Sequence, residues 1–589
     1  MNPFIDSIKQ AINKHNARTF ALFLIPGNLW MSLFIWRETF TINGTRIISL
    51  FDDALISMSY AKNFSQTGSL TWYSGAEKVQ GITNPLWTLL LSGFHLISNQ
   101  SQIVIMLVIF FNLIIINSVS LMVYLILEYL LPKTKDKQKI KVVIAASIPF
   151  QYSFMYWTIR GLEVGFLSLI LLSTLFLIFK NEKIDFKNFV SISILGFLGV
   201  ATRFDYFLIH FAIIYFLICQ KKFSFTIVSN LWIKLGLLFP LIFSASVVLV
   251  GQKIYYGEYL PNTYYLKVLG FGIESRFIRG FESVLKSYLM PLAFIGISAF
   301  IIKKITIAEK LKEFFYLSYA LVFTTICYVV YVGGDAWEVF GKINRFISVI
   351  QPLFVIMIGV GISLVVNNVK FDQKHFKWFL IILSITSLGY GIRLNPLRYN
   401  ILFPLIVIIF FIIPFFLVRS NKIQQKLIFS VFILCIVSSN SLSIASWLQS
   451  GAKDGMDASD SQNYLIGLDI QSILKQNGKA AVLLAGAPIY FSNRGGVDLL
   501  GKNDSYIARQ NPNFTDYVGE WNSTFYPGHN KWNFEYSIGF LKPDMVAQFW
   551  GSSSITDFGY TKYCMVNSDR SYFLDPNSNK IYWDKVKVC

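Results

Sequence analysis

Up to about residue 446 the chain alternates long apolar runs with short charged turns. Runs of about 17–25 apolar residues match the thickness of a bilayer's hydrocarbon core. The first, 19–36, follows a basic start (Lys9, Lys14, Arg18) and has no small-x-small cleavage site behind it. That pattern predicts a retained anchor with its N-terminus inside, not a removed signal peptide. A polar stretch follows to residue 85, then a short apolar run at 86–98 and a full-length one at 102–131. Further crossings are expected at 142–159, 162–179, 189–202, 204–220, 231–250, 288–302, 314–332, 346–366, 378–392, 400–418 and 427–446.

From 447 to 589 the pattern changes to polar, aromatic and Gly/Asn-rich sequence with no spanning run. Positions 459–477 show helical spacing through Leu465, Leu468, Ile473 and Leu474, with Gly478 as the stop, and 480–484 reads as a buried strand. The expected architecture is an all-α polytopic membrane domain (1–446, about thirteen transmembrane helices) followed by an α/β domain (447–589). Residues 37–101 form the first outer loop.

Composition supports this. Only 14% of residues are charged, where soluble proteins have about 25%, and 54% are hydrophobic. Such a chain has too little polar surface for a soluble protein and is too apolar for disorder. The net charge of +19 is compatible with a nucleic-acid partner until its position is considered. A full crossing at 86–98 would put Lys133, Lys135, Lys137, Lys139 and Lys141 outside, against the positive-inside rule, so 86–98 is expected to be re-entrant or interfacial. With that choice half of the lysines fall in the short inside loops, and the short outside turns hold only Arg160, Arg203, Arg393 and Arg398. The charge then sets topology, and no nucleic-acid partner is implied. The 447–589 domain falls outside the membrane. Cys219, Cys327 and Cys435 fall in spans and are expected to be buried apolar thiols, whereas Cys564 and Cys589, in an oxidising compartment, are expected to pair.

Candidate chemistry concentrates on the outer side. Asp52-Asp53 opens a helical pattern in the first outer loop. Such acids cap a helix, or one caps while its neighbour serves as a general base beside the bilayer. Charged groups at the ends of spans recur at Arg160/Glu163, Arg203/Asp205, Asp335 and Arg345. Each is compatible with a snorkelling cation or local ion pair; Arg160, Arg203 and Arg345 together also suit a lipid phosphate. There is no P-loop, no Asp-x-Asp of a nucleotide-sugar enzyme and no His spacing for a metal. Soluble nucleotides are scarce outside the cytoplasm, so an activated group there has to arrive on a lipid.

Asp52-Asp53-Ala54-Leu55-Ile56, followed by Tyr60-Ala61-Lys62-Asn63, resembles the opening of bacterial GT-C-type membrane glycosyltransferases. The subgroup in question contains the mycobacterial terminal arabinofuranosyltransferases and pilin arabinosyltransferases. The likeness continues in order through Gly75-Ala76-Glu77 to Trp87, Gly161-Leu162-Glu163, Thr202-Arg203-Phe204-Asp205, Tyr255 to Lys267 (with Pro261-Asn262-Thr263-Tyr264), Gly333-Gly334-Asp335 and Arg345-Phe346. In the tail it runs through Gly486-Ala487-Pro488, Asp498-Leu499-Leu500-Gly501, Asn503-Asp504 and Pro527-Gly528-His529-Asn530-Lys531. Gln80 and Phe204 depart from the family's usual Glu and Pro.

The resemblance implies a GT-C fold and inverting transfer of a sugar, arabinofuranose first, from a polyprenyl-phosphate donor to a glycan or protein acceptor. It implies a bacterial inner-membrane protein with a cytoplasmic N-terminus and a periplasmic C-terminal domain. Asp52 would be the base and Asp53 its support or a helix cap. Arg203, Arg345 and Arg160 would hold the donor phosphate. Glu77, Glu163, Asp205, Asn262, Tyr264, Lys267, Asp335, His529 and Lys531 would line the substrate site. The resemblance singles out no cofactor, and a divalent metal stays open. The rival is a lipid-linked-sugar flippase, which should show paired broken helices or internal repeats; no such repeat is evident.

Overall fold

The computed structural model describes residues 14–131, 135–220, 222–223, 236–285, 308–338, 344–368, 459–514, 525–550 and 555–589. The crossings expected at 288–302, 378–392, 400–418 and 427–446, and Cys435, lie outside them. A first helix, α1 (Lys14–Arg37), leads into a hairpin of β1 (Phe40–Ile42) and β2 (Thr45–Ile47). Next come α2 (Asp52–Thr67), α3 (Pro85–Ile97), α4 (Ser101–Leu130), α5 (Lys135–Ala146), α6 (Tyr152–Ile159), α7 (Val164–Lys180), α8 (Phe186–Thr202) and α9 (Tyr206–Cys219). The membrane part continues with α10 (Phe239–Tyr256), the short α11 (Asn262–Val268), α12 (Glu309–Val332), one turn at α13 (Arg345–Ser348) and α14 (Gln351–Asn368).

Helices α4, α10 and α12 are long and apolar enough to cross a membrane, and the chain is a membrane protein. Helix α4 shows how apolar residues are shared between packing and lipid. Val104, Ile105 and Val108 are buried against neighbouring helices, while Met106, Phe110 and Ile114 face outward. Outward apolar side chains are stable only in lipid, because water would penalise them. The same geometry corrects the expectation for Cys219 and Cys327: both thiols are free and exposed on outer helix faces.

The crossing expected at 142–159 is broken. Pro149, which has no amide hydrogen to donate, sits in a tight turn at Ile148–Phe150 between α5 and α6. Helices α6 and α7 then meet at a bend of 118°. Helices α8 and α9, with 17 and 14 residues, span about 25 and 21 Å at 1.5 Å per residue, short of a full crossing. Their junction is Arg203-Phe204-Asp205, so it carries charged residues, as does the α6/α7 bend. The 86–98 segment is a short helix, α3, packed against α2.

The C-terminal domain contains α15 (Ser459–Ile473), β3 (Lys479–Val482), α16 (Ala487–Ser492), β4 (Gly495–Asp498), α17 (Ser505–Arg509), β5 (Met545–Val546), β6 (Thr561–Met565), β7 (Ser571–Leu574) and β8 (Val586–Val588). Its sheet has the order β4-β3-β5-β7-β6-β8, parallel across the first three strands and antiparallel beyond. Helix α15 stops before Gly478 because Lys475 N–H leaves the helical ladder and donates to the Lys580 carbonyl. Cys564 and Cys589 are disulfide-bonded.

Arg160 joins the two parts of the molecule. It is 1% exposed, donates to the Ser49 carbonyl at 2.9 Å and pairs with Asp460 of α15 at 2.5 Å. Removing one partner of a buried pair strands the other charge, at a cost on the order of 3–5 kcal/mol. Asp460→Ala should therefore lower the thermal unfolding midpoint in detergent, and combining Arg160→Met with Asp460→Leu should recover most of the loss. An unshifted midpoint in the single variant would show that this contact does not hold the parts together.

Candidate active site

Phe51 is extended, is held edge-on by Trp157 and Trp337, and ends where α2 begins. Asp52 and Asp53 thus occupy the first turn of α2, where free backbone N–H groups favour negative charge. Consecutive helical residues point about 100° apart, and the two acids have separate surroundings. Asp52 turns to the C-terminal domain and accepts from Ala487 N–H at 2.8 Å and Gly486 N–H at 3.3 Å. A Cβ on Gly486 would sit 1.9 Å from the Asp52 carbonyl oxygen, so only glycine permits this approach. Asp53 turns to a cavity of about 70 Å³. Its two oxygens meet Lys502 and Arg345, each at 2.7 Å.

Burial pushes the Asp52 carboxyl up to about 6, only partly offset by Lys502 and by the Ala487 and Gly486 amides. Burial acts on Asp53 as well, but Lys502 and Arg345 overcome it and hold that carboxyl well below the usual range. One acid is poised to titrate, whereas its neighbour is locked as an anion.

The cavity lies where the first loop, the membrane helices and the C-terminal domain meet. Four cations line it (Arg203, Lys267, Arg345 and Lys502) beside two carboxylates, Asp53 and Glu163. Arg203 bonds Glu163 at 2.7 Å and Asp205 at 2.9 Å, and Asn84 donates to the other oxygen of Glu163. Arg345 also forms an ion pair with Asp335 at 3.0 Å. Asp335 follows Gly333 and Gly334, both at positive φ, and its amide donates to Glu338. Lys267, from α11, is different. Among the described residues it is the one cavity cation with neither an ion pair nor a hydrogen bond; its ammonium lies 5.0 Å from the Phe346 ring centre. Burial lowers its pKa to about 8, so it is still charged at neutral pH.

His529 completes the wall. Burial first, then Lys502, lowers its pKa to about 4, so the ring is neutral at pH 7. Its Nδ1 lies 3.0 Å from the Pro527 carbonyl; a proton on Nδ1 donates there and leaves Nε2 as an acceptor with no partner among the described residues.

The other expected site residues lie elsewhere. Asp52 does not line the cavity, because backbone amides claim it. Arg160 is used between the two parts. Glu77 is exposed in its loop. Asn262 is buried, donating to the Gly501 carbonyl. Tyr264 lies beside Tyr331. Asp205 and Asp335 stand behind the arginines they pair with. Lys531 is fully buried, donating to the Tyr265 and Ala508 carbonyls. Lys502 is a cavity residue that sequence reasoning missed, although it stands between Gly501 and Asn503-Asp504, which it noted. Asp498 builds that turn by accepting from the amides of Leu500, Gly501 and Asn503. No group of three or more His, Cys, Asp or Glu side chains comes together as a metal set among the described residues.

Among solved structures, the chain is similar to ArnT from Cupriavidus metallidurans bound to undecaprenyl phosphate. The TM-score is 0.52 at 9% identity, covering 81% of this chain and 85% of that one. Apo ArnT gives 0.51 at 9%, covering 82% and 86%. The archaeal oligosaccharyltransferase AglB from Archaeoglobus fulgidus, in complex with an inhibitory peptide and a dolichol-phosphate, aligns more weakly, at 0.49 and 10% identity over 95% and 74%. No protein-family model and no curated protein sequence matches. The chain thus shares the fold of ArnT.

The Asp52 environment sets a pH dependence. An acid whose folded pKa is raised binds its proton more readily folded than unfolded, so stability falls as pH rises between the two values. Between pH about 4 and about 6 the Asp52 contribution should decline with rising pH. The difference in unfolding midpoint between wild type and Asp52→Asn should change across that window and level off above it. A difference that is constant with pH would refute the raised pKa.

Proposed function

We propose that this chain is a membrane glycosyltransferase. It takes a sugar, arabinofuranose first by sequence resemblance, from a polyprenyl-phosphate donor and passes it to a glycan or protein acceptor. The reaction face is extracytoplasmic, in a bacterial inner membrane with the N-terminus inside. The observation that carries this reading is a cavity-lining carboxylate, Asp53, held by Lys502 and Arg345, in the same cavity as Lys267, which has no counter-ion among the described residues, where the helix ends meet the C-terminal domain. Capture of undecaprenyl phosphate by a protein of the same fold supports the donor class.

In this mechanism Lys267 receives the donor phosphate, a charge-assisted contact stronger than a neutral one. Arg345 and Lys502, both within reach of the cavity, shift part of their interaction to the phosphate. Asp53 then loses counter-ions, and its proton affinity rises toward that of a working base. The acceptor hydroxyl gives its proton to Asp53 while its oxygen bonds to the anomeric carbon from the face opposite the phosphate. The anomeric C–O bond breaks, and its electron pair leaves with polyprenyl phosphate, whose developing charge the cations stabilise. Asp52, expected as the base, serves this mechanism by fixing the C-terminal domain over α2. The resting cavity is narrow, so donor entry has to separate some of the ion pairs that close it.

Asp53→Asn should lower turnover with a polyprenyl-phosphate sugar donor by about 10²–10⁴-fold while donor binding persists. Lys267→Ala should weaken donor binding about tenfold or more. Folded Asp53→Asn protein with wild-type turnover would eliminate Asp53 as the base.

A further inference from the structure

A second concavity, a groove of about 540 Å³, adjoins the cavity and shares Trp337 and His529 with it. Its remaining lining comes from the C-terminal domain. Leu483 and Leu484 follow β3, Leu500 follows β4, and Ala547, Gln548, Phe549 and Trp550 follow β5. The topology explains why a groove forms there. Strand β3 lies between β4 and β5; the chain leaves the end of β3 toward β4, but leaves the end of β5 toward β6 on the far side. Connections that depart in opposite directions open a crevice at the carboxyl ends of parallel strands, which is where open α/β sheets bind ligands.

The side chains determine what fits. Trp337, Trp532, Trp550, Tyr526 and Phe549 present ring faces or edges to the groove. Trp532 and Trp550 meet at 80°, and Trp337 meets His529 at 90°, so the rings form walls at angles to one another and not a flat stack. Gln548 is occupied, accepting from the amides of Leu483 and Leu484 and donating to Asn463. Among the described residues, the lining acceptor atom with no partner is the buried Nε2 of His529, the residue that the groove shares with the cavity. An aromatic face carries negative quadrupole charge and attracts the polarised C–H bonds of a sugar ring, while sugar hydroxyls need fixed acceptors such as His529 Nε2. A polyprenyl tail is a poorer occupant, because the groove is walled by the C-terminal domain and not by the apolar outer faces of the membrane helices.

We infer that this groove is the acceptor site and that the acceptor is an oligosaccharide, held by the tryptophan walls with its terminal hydroxyl directed past His529 toward Asp53. The inference rests on the glycosyltransferase reading and specifies its acceptor. Its site falls within the usual volume of ligand pockets, about 300–1,000 Å³.

The test uses the full chain in nanodiscs. Two probes, a linear arabinofuranosyl hexasaccharide and a mannohexaose, are measured by saturation-transfer NMR, with undecaprenyl phosphate measured separately. At least one hexasaccharide should bind. Trp550→Ala and Phe549→Ala should weaken it about tenfold, Trp550→Phe should retain most of it, and undecaprenyl phosphate affinity should stay the same in all three. Absence of binding by both saccharides at millimolar concentration would overturn the groove assignment while leaving the transferase reading to its own assay. Equal saccharide binding in wild type and both alanine variants would also overturn it, as would loss of undecaprenyl phosphate binding in Trp550→Ala, which would make the groove a tail channel. Saccharide binding that follows this pattern in a protein with no transfer activity supports the groove and counts against the transferase reading alone.

Discussion

The structure depends on two adjacent carboxylates pointing in different directions. Helical geometry separates Asp52 and Asp53 by about a quarter turn, and each then meets a different part of the molecule. Asp52 holds the backbone of Gly486 and Ala487; Asp53 holds Lys502 from the C-terminal domain and Arg345 from the membrane part. One short stretch at the start of α2 therefore joins all three regions. Arg160, pairing with Asp460 nearby, strengthens the same junction. Buried ion pairs of this kind contribute less to net stability than to geometry, because desolvation consumes much of their attraction. What they secure is the position of the cavity between the parts.

The cavity's charge pattern follows from the same economy of burial. A buried cation needs a partner, and Arg203, Arg345 and Lys502 each have one or two. Lys267 has none among the described residues, and a half-buried ammonium left in that state is an unmet demand for an anion. The carboxylates around it are all engaged, so in the proposed mechanism an incoming phosphate competes with Asp53 for Arg345 and Lys502. Under that proposal donor binding and activation of the base become linked through shared counter-ions. The helices serve this arrangement by being short or bent. The bend at α6/α7 and the junction of α8 and α9 bring Glu163 and Arg203 to helix ends, where they reach the cavity without crossing lipid, with Asp205 pairing Arg203 from behind.

The C-terminal domain contributes more than a cover. Its β4 end builds the Asp498 turn that presents Lys502, and the crevice between the ends of β3 and β5 opens beside His529. Both features come from the order in which the parallel strands are visited. A sheet of the same strands in sequential order would have no such crevice at that place.

Much of this was legible from the sequence. Apolar run lengths marked a polytopic membrane domain, the loss of those runs after 446 marked an α/β domain, and the acid pair, Arg203, Arg345, Lys267 and His529 were recognisable as site candidates. Those signals are local: hydrophobic length, charge placement and residues in order along the chain. The tertiary structure decided which acid faces the cavity, because that depends on the rotation of α2 against a domain more than 400 residues away, the separation at which Asp52 meets Ala487. It also decided that Arg160 and Lys531 are internal struts and that Lys502 is a cavity cation. A charged side chain in sequence shows that a partner is needed; only the packed structure determines whether that partner is already present or must arrive as substrate.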